Sequence, residues 1–95
     1  MVGTEEKPRA QGVVIKVLPD TKYIVQIKLG GMEHQLVAYP SGKIRKNYIK
    51  IEEKNQVIVE LDTTNLDLGR IIFRIDPGRA IPEYAKPTLT DELLN

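Results

Sequence analysis

Ser41-Gly42-Lys43-Ile44-Arg45-Lys46-Asn47-Tyr48 lies between two stretches of β character and packs three cations into four positions, with no acid among them. Ile49 and Lys50 extend it with a fourth cation, and acids resume only at Glu52. Residues 42–47 fit one or two turns of helix. Ser41 stands as the N-cap, its hydroxyl able to accept from an exposed amide of the first turn. Lys43 and Lys46, three apart, fall on one side of such a helix, with Arg45 and Lys50 flanking. Ile44 and Tyr48, four apart, are expected to turn inward and pin it. A short basic helix set between strands restricts the choice of fold more than any single strand does.

Outward from this block the chain reads as strands. Gly12 to Leu18 is β-branched through its middle and is stopped by Pro19-Asp20. Tyr23, Val25, Ile27 and Leu29 alternate against Ile24, Gln26 and Lys28, the period of a strand with one buried face. Gly30-Gly31 marks a hairpin, and a third strand follows from about Glu33 to Tyr39, with Leu36 and Ala38 inward, ending at Pro40. Beyond the helix, Gln56 to Leu61 points Val57, Val59 and Leu61 inward. Gly69 to Ile75 puts Ile71, Phe73 and Ile75 on one face and Arg70, Ile72 and Arg74 on the other. Five short strands with a helix between the third and fourth describe an all-β, five-stranded Greek-key barrel of the OB type. A small SH3-like barrel offers no natural place for that helix.

Ninety-five residues make one domain with a modest core. No run approaches the ~20 apolar residues of a membrane span, and Glu5 and Glu6 in a polar opening stretch fit neither a signal nor a transit peptide. The chain has no cysteine, which removes disulfides, thiolate metal sites and cysteine nucleophiles together. Residues 1–11 are expected to be a flexible lead, 12–75 the barrel, and 76–95 a flexible tail punctuated by Pro77, Pro82 and Pro87. Leu89, Leu93 and Leu94 would be that tail's apolar grip if it docks on a partner. The net charge of +1 is unevenly spread. Residues 12–50 hold seven cations and two acids, net +5, while 76–95 hold two and four, net −2.

Catalytic constellations are missing. Ser41 and His34, the only serine and the only histidine, sit seven apart with no carboxylate between to orient a triad. His34 lacks a second ligand for a metal. Gly42-Lys43 falls short of a phosphate-binding loop, because Val37 stands where that loop needs glycine and Ile44 where it needs Ser or Thr. Neither enzymatic activity nor a cofactor nor a metal is expected. The chemistry left is attraction of a polyanion, since each Lys or Arg that meets a phosphate releases condensed counterions. Arg70 and Arg74, on one strand face about 13 Å apart at the usual rise per residue, would span neighbouring phosphates and could stack on an unpaired base. Asn47 offers both a donor and an acceptor to a base edge or a 2′-hydroxyl. Tyr23 and Phe73 are in phase with inward residues, which leaves few aromatics for stacking.

The basic helix and fifth strand together resemble bacterial-type translation initiation factor 1. Gln11-Gly12-Val13-Val14, Leu18-Pro19-Asp20-Thr21, the whole Ser41–Lys50 block, Val57 to Leu61 and Gly69-Arg70-Ile71 through Phe73-Arg74 carry the likeness, collinear from about Gln11 to Arg74. The resemblance implies a monomeric, non-enzymatic OB-fold factor of the cytoplasm, or of an organelle that encodes it, without membrane contact. It further implies binding to the small ribosomal subunit at the decoding (A) site through ribosomal RNA. There the family occupies the site during initiation, perturbs the stacked decoding adenines and works with other initiation factors. Carried onto this chain, the RNA-facing residues are Lys43, Arg45, Lys46, Asn47, Lys50, Arg70 and Arg74, supported by Ser41, Gly42, Ile44 and Tyr48. The chain departs from the family at Ile24 and Leu68, where cations are usual, at Thr63-Thr64-Asn65-Leu66, at Tyr39-Pro40, and in its longer tail. Two rival readings are a general single-stranded RNA chaperone of the cold-shock type, which would display stacking aromatics, and a protein-interaction module working through the tail.

Overall fold

The computed structural model describes residues 7–88. Five strands, β1 (Arg9–Leu18), β2 (Lys22–Leu29), β3 (Met32–Pro40), β4 (Gln56–Leu61) and β5 (Leu68–Ile75), close a barrel in the order β1-β2-β3-β5-β4. The helix α1 (Gly42–Lys46) connects β3 to β4. All pairings are antiparallel except β3 with β5. That parallel pair exists because α1 and β4 carry the chain across before β5 returns beside β3. Pairing of β1 against β4 closes the barrel, and β3 meets β5 over Val37–Pro40.

Period-two alternation builds the interior as the sequence predicts. Val25, Leu36, Val57, Val59, Leu61 and Ile71 are buried in one cluster, joined by Ile44 and Ile51 from the α1 crossing. Gly30 and Gly31, both at positive φ, form the two-residue turn that pairs Leu29 with Met32. On β1 the inward row is Ala10, Gly12, Val14, and Gly12 is required there. A Cβ on it would lie 2.7 Å from the Gln26 carbonyl oxygen and from the Val25 and Ile27 side chains.

Three boundaries differ from the sequence reading, each through long-range pairing. The first strand starts at Arg9, three residues before Gly12, because Arg9, Ala10 and Gln11 pair with Glu60, Val59 and Ile58 of β4. Ala10 is thereby buried, so residues 9–11 belong to the barrel and not to a flexible lead. On β5 the pairing runs Val59↔Ile71 but Ile58↔Phe73, so Ile72 is an extra residue, a β-bulge. A bulge reverses the phase of the residues after it. Phe73 therefore lies on the outer face beside Ile58, outside the core cluster, and Arg74 shares the inward side with Val57.

The third difference concerns the segment after β5. Residues 76–88 lie against the barrel as a strap containing a single 3-10 turn, Glu83–Ala85. Ala85 and Ile58 are both fully buried although neither belongs to the barrel cluster. The Tyr84 ring meets Phe73 edge to face, centroids 6.4 Å apart. The backbone amide of Thr88 donates to the Arg9 carbonyl at 2.9 Å, and the Arg9 amide donates to the Thr88 hydroxyl at 2.8 Å. The bulge turns Phe73 outward, and the strap covers it. Leu89, Leu93 and Leu94 lie outside the described residues.

Candidate nucleic-acid interface

A helix of five residues has no stability of its own in water. Its ends and one side chain hold α1 in place. The Ile44 amide donates to Ser41 Oγ at 3.2 Å, the N-cap expected from the sequence. The Ser41 amide donates to the Ile71 carbonyl at 2.8 Å and ties the cap to β5. Ile44, buried in the barrel core, contributes about 2–3 kcal/mol. At the other end the Tyr48 amide donates to Arg45 O and the Ile49 amide to Ile44 O, both at 3.1 Å. This is the Schellman arrangement, with Tyr48 in the left-handed position at φ 53°. Its Ile49 packs against the same core as Ile44.

Everything else on this element faces water. Lys43, Arg45, Lys46, Asn47 and Lys50, five of the seven expected RNA-facing residues, are all exposed on α1 and the segment leaving it. The three helical cations occupy the last turn, where the helix dipole favours positive charge. Among the described residues neither Arg45 nor Lys46 is paired with an acid. Lys50 meets Glu52 at 3.2 Å, an exposed pair worth little. Gly42 is not demanded by packing: a Cβ there would meet nothing within 4 Å. It leaves bare backbone at the start of the cationic turn.

Two expected residues stand apart from this segment. Arg70, on the outer face of β5, lies opposite Tyr39 of β3 and Glu60 of β4, with its guanidinium 3.3 Å from Glu60. Arg74 does not share that face, because the bulge at Ile72 separates them. Its guanidinium donates to both Asp76 oxygens, at 2.9 and 3.4 Å, and to the Lys50 carbonyl at 2.7 Å. Geometry makes it a clasp between β5, the strap and the chain leaving α1.

Tyr48 overturns its expected supporting role. The helix ends at Lys46, so a spacing of four from Ile44 no longer places the two on one side, and the ring is 92% exposed. A bulky side chain in left-handed backbone costs roughly 1–2 kcal/mol, and here it displays an aromatic beside four cations. Tyr39, outward on β3, has the Lys22 ammonium 5.9 Å from its ring centroid. Sequence reasoning missed Tyr84, whose ring lies 4.1 Å from the Lys43 ammonium. The available signal for Tyr84 was Ile81-Pro82-Glu83-Tyr84-Ala85, an apolar cluster between prolines long enough to cover an outward Phe.

Barrel topology and cationic surface together define an OB-fold protein with a short, exposed basic helix between its third and fourth strands. No family model matches the chain. Over 70 residues, 74% of its length, it is 43% identical to translation initiation factor IF-1 of Rhodopseudomonas palustris, covering 73% of that protein. Over the same length it is 41% identical to the IF-1 of Nitrobacter hamburgensis, covering 72% of that one. The solution structure of translation initiation factor IF-1 from the Wolbachia endosymbiont of Brugia malayi aligns with a TM-score of 0.57 and 31% identity, over 82% of this chain and 92% of the other. YjeQ from Thermotoga maritima, 20% identical, shares only the barrel, at a TM-score of 0.58 over 72% of this chain and 23% of its own. The chain belongs to the translation initiation factor IF-1 family, a family of non-enzymatic, RNA- and ribosome-binding factors.

Proposed function

We propose that this factor binds the small ribosomal subunit at the decoding site, through ribosomal RNA, and occupies that site during initiation. The observation that carries this reading is the exposed helix α1, where Lys43, Arg45 and Lys46 have no acid partner among the described residues and Asn47 and Tyr48 stand at its end. Lys and Arg supply the counterion-release energy, at about one condensed ion per phosphate contact. Asn47 reads a base edge or a 2′-hydroxyl, and Lys50 extends the charged track. Arg70 adds a phosphate contact from the barrel wall by exchanging Glu60 for RNA. Other initiation factors act beside it, and the chain works as a monomer in the cytoplasm. Among the described residues no helix is long and apolar enough to cross a membrane.

The test is cosedimentation with purified small subunits across a salt series, wild type beside the Lys43/Arg45/Lys46 triple alanine, with chemical probing of the decoding adenines. The expected result is saturable binding with altered adenine reactivity. The triple alanine should weaken it by several kcal/mol, at about 1 kcal/mol or more per contact, and flatten the salt dependence by two to three contacts' worth. Unchanged affinity in the triple mutant would sink the site assignment. The exposed ring of Tyr48 keeps the single-stranded RNA chaperone as a rival. Equal competition by bulk single-stranded RNA would favour it.

A further inference from the structure

The strap follows the stretch from Gln11 to Arg74 that carries the family likeness, yet it reaches the cationic helix. It is anchored on both sides of Tyr84. Before it, Asp76 accepts from Arg74 and lies 3.8 Å from the Arg79 guanidinium. After it, Arg9 Nε donates to the Lys86 carbonyl at 2.7 Å, and Thr88 pairs with the Arg9 backbone. Ala85 is buried beside it, Phe73 supports the ring edge-on, and Pro82 and Pro87 limit the backbone on either side. The strap is thus tied down on either side of Tyr84, and Phe73 meets the ring itself. Tyr84 still leaves nearly half its surface to solvent, and Lys43 is the side chain that lies over its ring.

We propose that Tyr84 is a positioning residue of the RNA surface: it holds the Lys43 ammonium over its ring, so that a phosphate meets that cation already oriented. This rests on the RNA-binding reading of α1 and adds the strap to it. A solvated lysine has four rotatable side-chain bonds to immobilise when it binds a phosphate, and that lost freedom opposes binding. The quadrupole of the ring attracts the ammonium from one side and leaves the donors on its far side to phosphate oxygens. Because the strap is fixed to β1 and β5 and α1 to the barrel core, ring and ammonium are set by one rigid frame.

The experiment measures affinity for purified small ribosomal subunits in a double-mutant cycle, using Tyr84→Leu, Tyr84→Phe, Lys43→Ala and the Tyr84→Leu/Lys43→Ala pair. Leucine keeps apolar bulk against Phe73 and removes the π face, and thermal melts verify that each variant is folded. Tyr84→Leu is expected to weaken binding roughly two- to five-fold, the size of an exposed cation–π contact. Tyr84→Phe should bind as wild type, and Tyr84→Leu should have no further effect once Lys43 is alanine. Unchanged or tighter binding by Tyr84→Leu, with Lys43→Ala still weak, overturns the proposal and leaves the RNA reading standing. The same loss in both backgrounds also overturns it, since Tyr84 would then act without Lys43. Full binding by Lys43→Ala overturns both this proposal and the RNA role of that helix face.

Discussion

Arg74 donates from Nη1 to the backbone carbonyl of Lys50 at 2.7 Å, so the end of the last strand clasps the chain just where it leaves the basic helix. The same guanidinium grips Asp76 with two nitrogens. Arg70, four residues earlier, lies beyond the bulge on the outer wall against Glu60. Two arginines of one strand thus divide into a structural clasp and a surface cation.

Alanine substitution should separate those roles. Arg74→Ala is expected to lower the unfolding free energy by about 1–3 kcal/mol, because charged hydrogen bonds to Asp76 and Lys50 are lost. Arg70→Ala removes a pair worth at most about 1 kcal/mol and should reduce affinity for small subunits instead. Urea unfolding and cosedimentation on both variants decide it. Equal stability losses would mean that the bulge does not divide their functions.

Tyr48 should show opposite signs in stability and binding. Glycine relieves the left-handed backbone, so Tyr48→Gly is expected to raise the unfolding free energy by about 1 kcal/mol. Removing an exposed ring that stacks on a base should weaken RNA binding by about 1–3 kcal/mol. A variant that is both less stable and fully competent to bind would show that the ring packs and does not stack.

The glycines divide in the same way. Gly12→Ala drives a Cβ to 2.7 Å from the Gln26 carbonyl and two side chains, and overpacking of this kind costs about 1–3 kcal/mol. Gly42→Ala meets open space and should leave the melting temperature within error of wild type or above it. If RNA approaches the bare backbone at the start of α1, Gly42→Ala reduces affinity while the fold is untouched.

Asp62 makes the loop between β4 and β5 sensitive to acid. The Thr64 hydroxyl and the Thr64 amide both donate to Asp62 Oδ1, at 2.6 and 2.9 Å. These bonds, hydroxyl first, hold the carboxyl below the usual aspartate range, with Lys7 adding attraction. The folded pKa is thus depressed. Its contribution is complete above the unfolded aspartate pKa and is lost as pH falls through the lower, folded value. A pH titration by NMR should show the Asp62 carboxyl and the Thr64 amide moving together, at lower pH than an unperturbed aspartate, with the amide response absent in Asp62→Asn. An ordinary titration of Asp62 would contradict the turn.

Local pattern determined much of this protein. Alternation along β2, β3 and β4 specified which residues line the barrel core, since the side-chain period of a strand is two wherever the pairing is regular, but not that Ile58 on the outer face of β4 is also buried. Ser41 before a run of helix-compatible residues announced the cap of α1, because capping needs only neighbours in sequence. The cluster of Lys43, Arg45, Lys46, Asn47 and Lys50 was legible as exposed for the same reason, and with the motifs around it the family was legible too. What the tertiary structure decided are the features that depend on partners distant in sequence. Residues Arg9 to Gln11 become strand only because β4 is there to pair with them. The extra residue at Ile72 reverses the phase of Phe73 and Arg74, and it shows only in the register of β5 against β4. Tyr48 is exposed because α1 stops at Lys46, where Ile49 turns back to the core. Tyr84 reaches Lys43 because an outward Phe73 gives the strap something to cover, and only the closed barrel brings those residues together.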